Sequence, residues 1–197
     1  MRVTEELRTE HENIVVALNI LEQICKNAES GLSFPSQDVD YLLEFFSVYA
    51  DMCHQEKEEL VLFPAMESIG FSQEVSHMAA LLLEYQMDHQ MDREIINHMD
   101  DCVARIKDYN TIVLPVFIKN AHEYIDLLKP HITRENTELF KIADEKIPKK
   151  QHPALLKGFK KVEKEKIGAK KYIEFHTSLY LFRDKYAKIA TNNTHVL

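Results

Sequence analysis

The segments HQEKEELVLFP (residues 54–64) and HITRENTELFK (residues 131–141) share one spacing: histidine, glutamate four residues later, and Leu-Phe eight and nine residues after the histidine. The chain shows no other obvious repeat. Residues at positions i and i+4 lie on the same face of a helix, so both polar side chains of each copy can point at one centre. Each copy is therefore predicted to carry one histidine and one glutamate ligand of a two-metal site.

Length and composition favour a single helical domain. The 197 residues are enough for one sizeable hydrophobic core, and only four Gly and six Pro are present to make turns. Leu, Glu, Lys, Ile and Ala abound, and these residues have good helix propensity apart from Ile. We expect an all-α protein.

The hydrophobic pattern predicts four long helices and a shorter helical pair. Apolar residues recur at alternating steps of three and four, which is typical of helices that face a shared core. The predicted helices cover about residues 3–28, 38–63, 73–108, 112–145, 153–166 and 169–189. Short connections favour an antiparallel up-down-up-down four-helix bundle over residues 1–146, with residues 147–197 as a C-terminal helical extension packed on it.

Helix boundaries are indicated by turn and capping residues. Asp38 is expected to cap the second helix, and Pro64 to end it. Gly70 predicts a turn, after which Ser72 is placed to cap the third helix. Pro130, inside the fourth helix, predicts a kink immediately before His131.

Each of the four long helices carries a histidine where its buried face should be apolar. In an antiparallel pair, the start of one helix lies beside the end of the next. Counted from these ends, the positions of the histidines along their helices agree to within a few ångströms, so the imidazoles can meet at one level. These histidines and the two glutamates of the repeat make six candidate metal ligands: His11, His54, Glu58, His89, His131 and Glu135. Two metals bridged by the carboxylates use this set better than one metal, and leave coordination positions open. Imidazole with carboxylate suits iron, with zinc and manganese as alternatives.

These motifs resemble the hemerythrin-like, HHE cation-binding family. The resemblance covers about residues 4–145 and implies a four-helix bundle that holds two non-haem iron ions with an oxo or hydroxo bridge. It also implies that His11 and His54 bind one iron, that His89 and His131 bind the other, and that both glutamates bridge. The later stretch LLKGFKKVEKEKIGAKKY resembles the extension of longer prokaryotic members.

The sequence departs from the oxygen-carrying members of that family at Tyr85. Those members have a further histidine one turn before the third-helix ligand, and Tyr85 stands there. Tyr85 has three alternative roles: it is a phenolate ligand, it donates a hydrogen bond to a bound oxygen species, or it packs in the core. Tyr124 shares the face of His131 and either lines the ligand pocket or packs in the core. His122 replaces the missing histidine only if the kink at Pro130 turns it inward.

The remaining polar residues have ordinary interpretations. Solvent exposure is expected for the histidines away from the buried faces, namely His77, His98, His152, His176 and His195. Arg93 is expected to pair with a nearby acid such as Asp88 or Asp92 rather than to approach the metal.

Charge and hydropathy limit the location and the partners. No apolar run reaches about 18 residues, which argues against a membrane partner, and the charged start does not resemble a secretion signal. Three cysteines at unrelated spacings suit a reducing compartment, so a cytoplasmic location is expected. The net charge of −8 argues against nucleic acid as a partner. Residues 149–171 nevertheless hold nine Lys and two Glu, and docking onto the acidic body is favoured over a protein-partner patch.

The ligand balance favours binding over strong oxidation. Four imidazoles and two carboxylates should hold ferrous iron that takes up a small diatomic molecule or peroxide. We therefore expect a di-iron protein that binds or senses dioxygen, nitric oxide, peroxide or iron itself. An enzyme that turns over peroxide or nitric oxide, and a structural zinc-binding helical module, remain the alternatives. The oligomeric state is unknown at this point.

Overall fold

The computed structural model describes residues 2–69 and 75–193, and every regular element in these ranges is helical. Six helices follow in order: α1 (Glu5–Glu29), α2 (36–67), α3 (Val75–Lys107), α4 (111–146), α5 (His152–Lys166) and α6 (Ala169–Asn193). The all-α prediction is confirmed. No helix in the described part of the chain is both long and apolar enough to cross a bilayer.

Two of the long helices change their hydrogen-bond pattern along their length. Helix α2 consists of α-helical Ser36–Glu44, π-helical Phe45–Gln55 and Glu58–Leu62, and α-helical Phe63–Glu67. Helix α4 consists of 3-10 Thr111–Val113, α-helical Leu114–Arg134, π-helical Glu135–Leu139 and α-helical Phe140–Lys146. Both copies of the repeat thus enter a π-helical turn at the glutamate and return to α-helix at the phenylalanine.

Some predicted boundaries were wrong. Helix α2 continues past Pro64 to Glu67, because this proline falls in the first turn of an α-helical segment, where a missing N–H is tolerated. Helix α2 also begins at Ser36 rather than at Asp38, whose carboxylate instead accepts a hydrogen bond from Tyr186. Gly70 and Ser72 lie outside the described residues. Helix α4 continues through Pro130, and the kink there stays a prediction.

The layer that contains the four candidate ligand histidines lies between two apolar clusters of the core. One cluster includes Leu7, Leu62, Tyr85 and Leu139, and the other includes Ile14, Ala50, Ile96 and Leu128. Along each of α1 to α4, the candidate ligand histidine lies between a member of the first cluster and a member of the second. Apolar packing on both sides therefore shields this polar layer from water.

The last two helices cover one side of the other four. Helix α5 packs on the π-helical turns of α2, and α6 packs along α1. Gly168 joins them with a φ of +74°, a conformation that glycine adopts without strain. Several lysines of residues 149–171 pair with acids of α1 and α2: Lys160–Glu6, Lys166–Glu56 and Lys171–Glu44. The domain boundary at residue 146 stays a prediction.

Candidate metal centre

All six candidate ligands meet in one buried layer. The most exposed residue among them is His54, at 3 % of its surface. They form two groups that share a glutamate: His11, His54, Glu58 and Glu135 in the first, and His89, His131 and Glu135 in the second. Within each group, one potential ligand atom from every residue lies within 4.8 Å of the others.

Each glutamate lies between histidines from two different helices. The Glu135 oxygens lie 3.1 Å from His11 Nε2 and 3.2 Å from His131 Nε2. The Glu58 oxygens lie 3.7 Å from His54 Nε2 and 3.6 Å from His89 Nε2. All four Nε2 atoms thus face the two carboxylates, and those of His89 and His131 lie 3.2 Å apart.

The Nδ1 atoms of His54 and His131 are anchored by acids that directly precede the other two histidines. His54 Nδ1 donates to Glu10 Oε2 at 3.0 Å, and His131 Nδ1 donates to Asp88 Oδ2 at 3.0 Å. Glu10 stays ionised: burial opposes this, but the hydrogen bond from His54 and the charge of Lys57 lower its pKa to about 2.

The other two Nδ1 atoms are anchored by residues that directly follow the glutamates. His89 Nδ1 donates to Glu59 Oε1 at 2.8 Å, and His11 Nδ1 donates to Asn136 Oδ1 at 3.1 Å. With a cation bound, the ring proton would stay on the anchored Nδ1 and each Nε2 lone pair would face the cation, as in metal sites whose histidines are held by a neighbouring carboxylate. The same two kinds of anchor therefore occur in both halves of the layer: one residue directly before a candidate histidine, and one residue directly after a candidate glutamate.

The Leu-Phe pair of the repeat covers the centre. The Phe140 ring stacks on His11 with centroids 5.1 Å apart, and Phe63 lies parallel to His89 at 6.3 Å. Leu62 and Leu139 are fully buried in the adjacent apolar cluster. The repeated sequence therefore encodes a glutamate that enters the centre and an aromatic ring that packs on a histidine from another helix.

The electrostatics of the layer indicate a place for positive charge. Burial, and then the charge of Glu135, raises the pKa of Glu58 well above its ordinary value. The pKa of Glu135 is well below its usual range, because the charge of His131 outweighs burial. Burial and the neighbouring His11 lower the pKa of His54 to about 4. Two adjacent buried carboxylates cannot both ionise readily without a cation.

Unsatisfied polar atoms give the same indication. Within the described residues, His11 Nε2 and both oxygens of Glu58 and of Glu135 are buried and lack a good hydrogen bond. Such atoms are rare in proteins unless an ion or water completes them. Imidazole nitrogen with carboxylate oxygen is a donor set for first-row transition metals, so the residues fit a metal centre.

A small cavity of about 10 Å³ adjoins the layer. It is lined by His11, His54, His131 and Glu135, by the apolar residues Ile14, Ala50, Leu128 and Ile132, and by Gln55. This volume is about what one water-sized molecule needs.

Gln55 and Asp92 beside this cavity were missed by the sequence reasoning. Gln55 Nε2 donates to Asp92 Oδ2 at 2.9 Å, and burial raises the pKa of Asp92 to about 7. The only sequence signal was their positions, one residue after His54 and three residues after His89.

The two tyrosines selected from the sequence are both buried but differ in their surroundings. The Tyr85 ring lies edge-on to His131 at 5.2 Å, and its hydroxyl has no hydrogen-bond partner within the described chain. Burial, and then the charge of Glu135, raises the pKa of this hydroxyl. Tyr124 packs edge-on against Phe46 at 4.9 Å in the apolar core. Neither tyrosine lines the small cavity, and their proposed roles stay predictions.

Other polar residues were only partly anticipated. His122 lies at the surface, with its Nε2 3.3 Å from Glu29, so it does not replace the missing histidine in this structure. Arg93 pairs with Asp51 at 2.7 Å and Glu59 at 3.0 Å, not with Asp88 or Asp92, because its side chain extends toward α2.

The outlying histidines are not uniformly exposed. His98 is exposed, as predicted. His176 is half-buried with its Nε2 3.2 Å from the Tyr49 hydroxyl, and His152 is half-buried against the Ile147 carbonyl oxygen, because α6 and α5 pack on the first four helices. The side chains of His77 and His195 lie outside the described part.

A helical chain with four inward-facing imidazoles and two buried carboxylates belongs to the class of helical cation-binding proteins. The model of the hemerythrin HHE cation binding domain matches residues 2–143, and the chain belongs to that family. No curated protein and no solved structure matches this chain. The matched range ends within α4, so α5 and α6 lie beyond it.

Proposed function

We propose that this chain is a non-haem di-iron protein that binds or senses dioxygen, nitric oxide, peroxide or iron in the cytoplasm. The observation that carries the proposal is the place of each glutamate between two histidines that belong to different ligand groups. Such carboxylates suit two cations, one beside His11 and His54 and the other beside His89 and His131. The family supports a cation-binding role for this layer.

The arrangement proposed for α1 to α4 is an antiparallel up-down-up-down bundle. It is supported by the contacts of α1 with α2, of α2 with α3 and of α3 with α4, and by one histidine from every helix at the same level. The cytoplasmic location is supported by Cys25, Cys53 and Cys102, which are buried free thiols.

Iron is proposed over zinc and manganese because the donor set mixes four nitrogens with two carboxylates. Two ferrous ions, when bound, would supply electrons and open coordination positions to a small ligand. The protein orients the imidazoles through their Nδ1 anchors and excludes bulk water through the two apolar clusters. The cavity beside His11 and His54 has room for a small ligand only, and Gln55 supplies a polar group at its wall.

The test is anaerobic loading with ferrous iron, followed by metal analysis and an optical spectrum before and after exposure to air. We expect two irons per chain and a visible charge-transfer absorption in the wild type, and neither in a His54→Ala, His131→Ala double variant. His98→Ala is the matched control, because this histidine is exposed on α3. No bound iron in the wild type, or equal binding by the double variant, contradicts the proposal.

A second candidate function is turnover of peroxide or nitric oxide, and Tyr85 is the observation that favours it. Its buried hydroxyl lacks a hydrogen-bond partner in the described chain, and its ring lies against His131. Turnover by the iron-loaded protein should exceed that of free ferrous iron and fall in Tyr85→Phe. Rates no higher than those of free iron would leave binding or sensing as the function.

A further inference from the structure

The two halves of the metal centre have equivalent anchors but different surroundings. Glu10 and Asp88 occupy corresponding places, since each holds the Nδ1 of a ligand histidine at 3.0 Å. Asp88 is 15 % exposed and pairs with Arg134, which is itself 40 % exposed. The Glu10 side chain is only 1 % exposed. Among the described residues, the contacts of α5 and α6 with this layer fall on the half that contains Glu10, through Tyr172 and Glu163.

The carboxylate of Glu10 is held by three donors from two helices, α2 and α6. Besides His54, Lys57 donates to it, and the Tyr172 hydroxyl donates to its Oε1 at 3.2 Å. Lys57 is itself fully buried and also contacts Glu6 at 2.8 Å and Glu163 at 3.7 Å. Tyr172 belongs to α6 and Glu163 to α5, so helices beyond the family match reach the anchor of a candidate ligand.

The orientation of the Tyr172 side chain is fixed by contacts of its ring. Its ring lies 5.4 Å from Tyr49 and 4.8 Å from His176, and the Lys57 ammonium lies 5.7 Å from the ring centroid. These contacts hold the ring in place and direct its hydroxyl at Glu10. A buried carboxylate that accepts several charge-assisted or directed hydrogen bonds has little freedom to reorient. The same restriction passes to His54 through its Nδ1.

We propose that Tyr172 is a positioning residue for the cation position beside His11 and His54, and that the α5–α6 pair thereby makes this position the tighter of the two. The inference rests on the proposed function, because it requires that cations bind in the layer. Loss of an outer hydrogen-bond partner of a metal-bound histidine typically weakens metal binding by about 10- to 100-fold. Tyr172 is one hydrogen bond further from the histidine, and Glu10 keeps both His54 and Lys57 when Tyr172 loses its hydroxyl, so we expect no more than the lower end, about tenfold.

The experiment isolates each position before it tests Tyr172. His131→Ala leaves the position beside His11 and His54, and His54→Ala leaves the one beside His89 and His131. Tyr172→Phe is added to both backgrounds, and affinity for Co²⁺ is measured by anaerobic titration together with the ligand-field absorption spectrum. Tyr180→Phe is the matched control, since this tyrosine lies on the same helix and is 45 % exposed.

The expected result is position-specific. Tyr172→Phe should weaken Co²⁺ binding about tenfold and change the spectrum in the His131→Ala background, with less than about a twofold effect in the His54→Ala background. The His131→Ala protein should also bind Co²⁺ more tightly than the His54→Ala protein.

Other outcomes separate the two proposals. Equal losses in both backgrounds, or no loss in either, would overturn the role of Tyr172 while the proposed function stands. A wild-type chain that binds neither Co²⁺ nor Fe²⁺ would overturn the proposed function and this inference together.

Discussion

Asp92 offers a direct test of the electrostatics beside the metal layer. Its side chain is almost fully buried on α3, with 1 % of its surface exposed. Gln55 donates a hydrogen bond to Oδ2, whereas Oδ1 has no partner within the described residues. Burial raises the pKa of this carboxyl from 3.8 to about 7.

This raised pKa makes Asp92 destabilising at high pH. Between pH 3.8 and about 7 the folded protein holds the Asp92 proton more tightly than the unfolded chain does, so the free energy of unfolding falls as pH rises through this window. The fall ends above about pH 7, when both states are ionised. At about 1.4 kcal/mol for each pH unit, a shift of roughly three units amounts to about 4 kcal/mol.

The measurement uses metal-free protein and urea unfolding from pH 4 to pH 8. Asp92→Asn removes the titrating group and keeps an acceptor for Gln55, so the variant should gain stability relative to wild type as pH rises. We expect the difference in unfolding free energy to grow by up to about 4 kcal/mol over this range. Asp100→Asn, at an exposed position on the same helix, should show no such growth. A difference between Asp92→Asn and wild type that is constant with pH would refute the reasoning.

Three further predictions concern burial, packing and metal binding. Lys57→Met should lower the free energy of unfolding in urea by about 3–5 kcal/mol, because Glu10 is left buried without its cation. Adding Glu10→Gln should recover part of this loss, and a loss below about 1 kcal/mol in Lys57→Met would contradict the reasoning. Gly158→Ala should lower the melting temperature, because an added Cβ would lie 2.9 Å from Val61 Cγ1, whereas a higher melting temperature would mean that the Val61 side chain moves aside. Free ferrous iron at 100 times its Kd should raise the unfolding free energy by about 2.7 kcal/mol per position in wild type, and leave the His54→Ala, His131→Ala variant unchanged.

The six candidate ligands followed from the sequence for a geometric reason. Residues three and four apart share a helical face, so a histidine within a row of apolar residues must point toward the core. The pairs His54–Glu58 and His131–Glu135 therefore fell on the inner faces of their helices, and the structure places them together with His11 and His89. The same periodicity was sufficient for the all-α class and for the existence of each helix.

The anchors of the histidines required the tertiary structure. Glu10, Asp88, Glu59 and Asn136 directly neighbour ligands in sequence, and adjacent residues on one helix do not face each other. They become anchors because each binds a histidine of a different helix, which depends on how the helices pack. The π-helical turns at Glu58 and Glu135 likewise carried no recognised signal.

The sequence by itself determined the helical class, the buried faces and the set of candidate ligands, because these depend on spacings within single helices. Only the tertiary structure decided that Gln55 and Asp92 meet beside the cavity, and that Tyr172 reaches Glu10 across 162 positions of the chain. Such contacts depend on the relative placement of helices that are distant in sequence, and no local periodicity encodes that placement. The difference between the two halves of the candidate metal centre has the same origin, since the described contacts of α5 and α6 reach the half that contains Glu10.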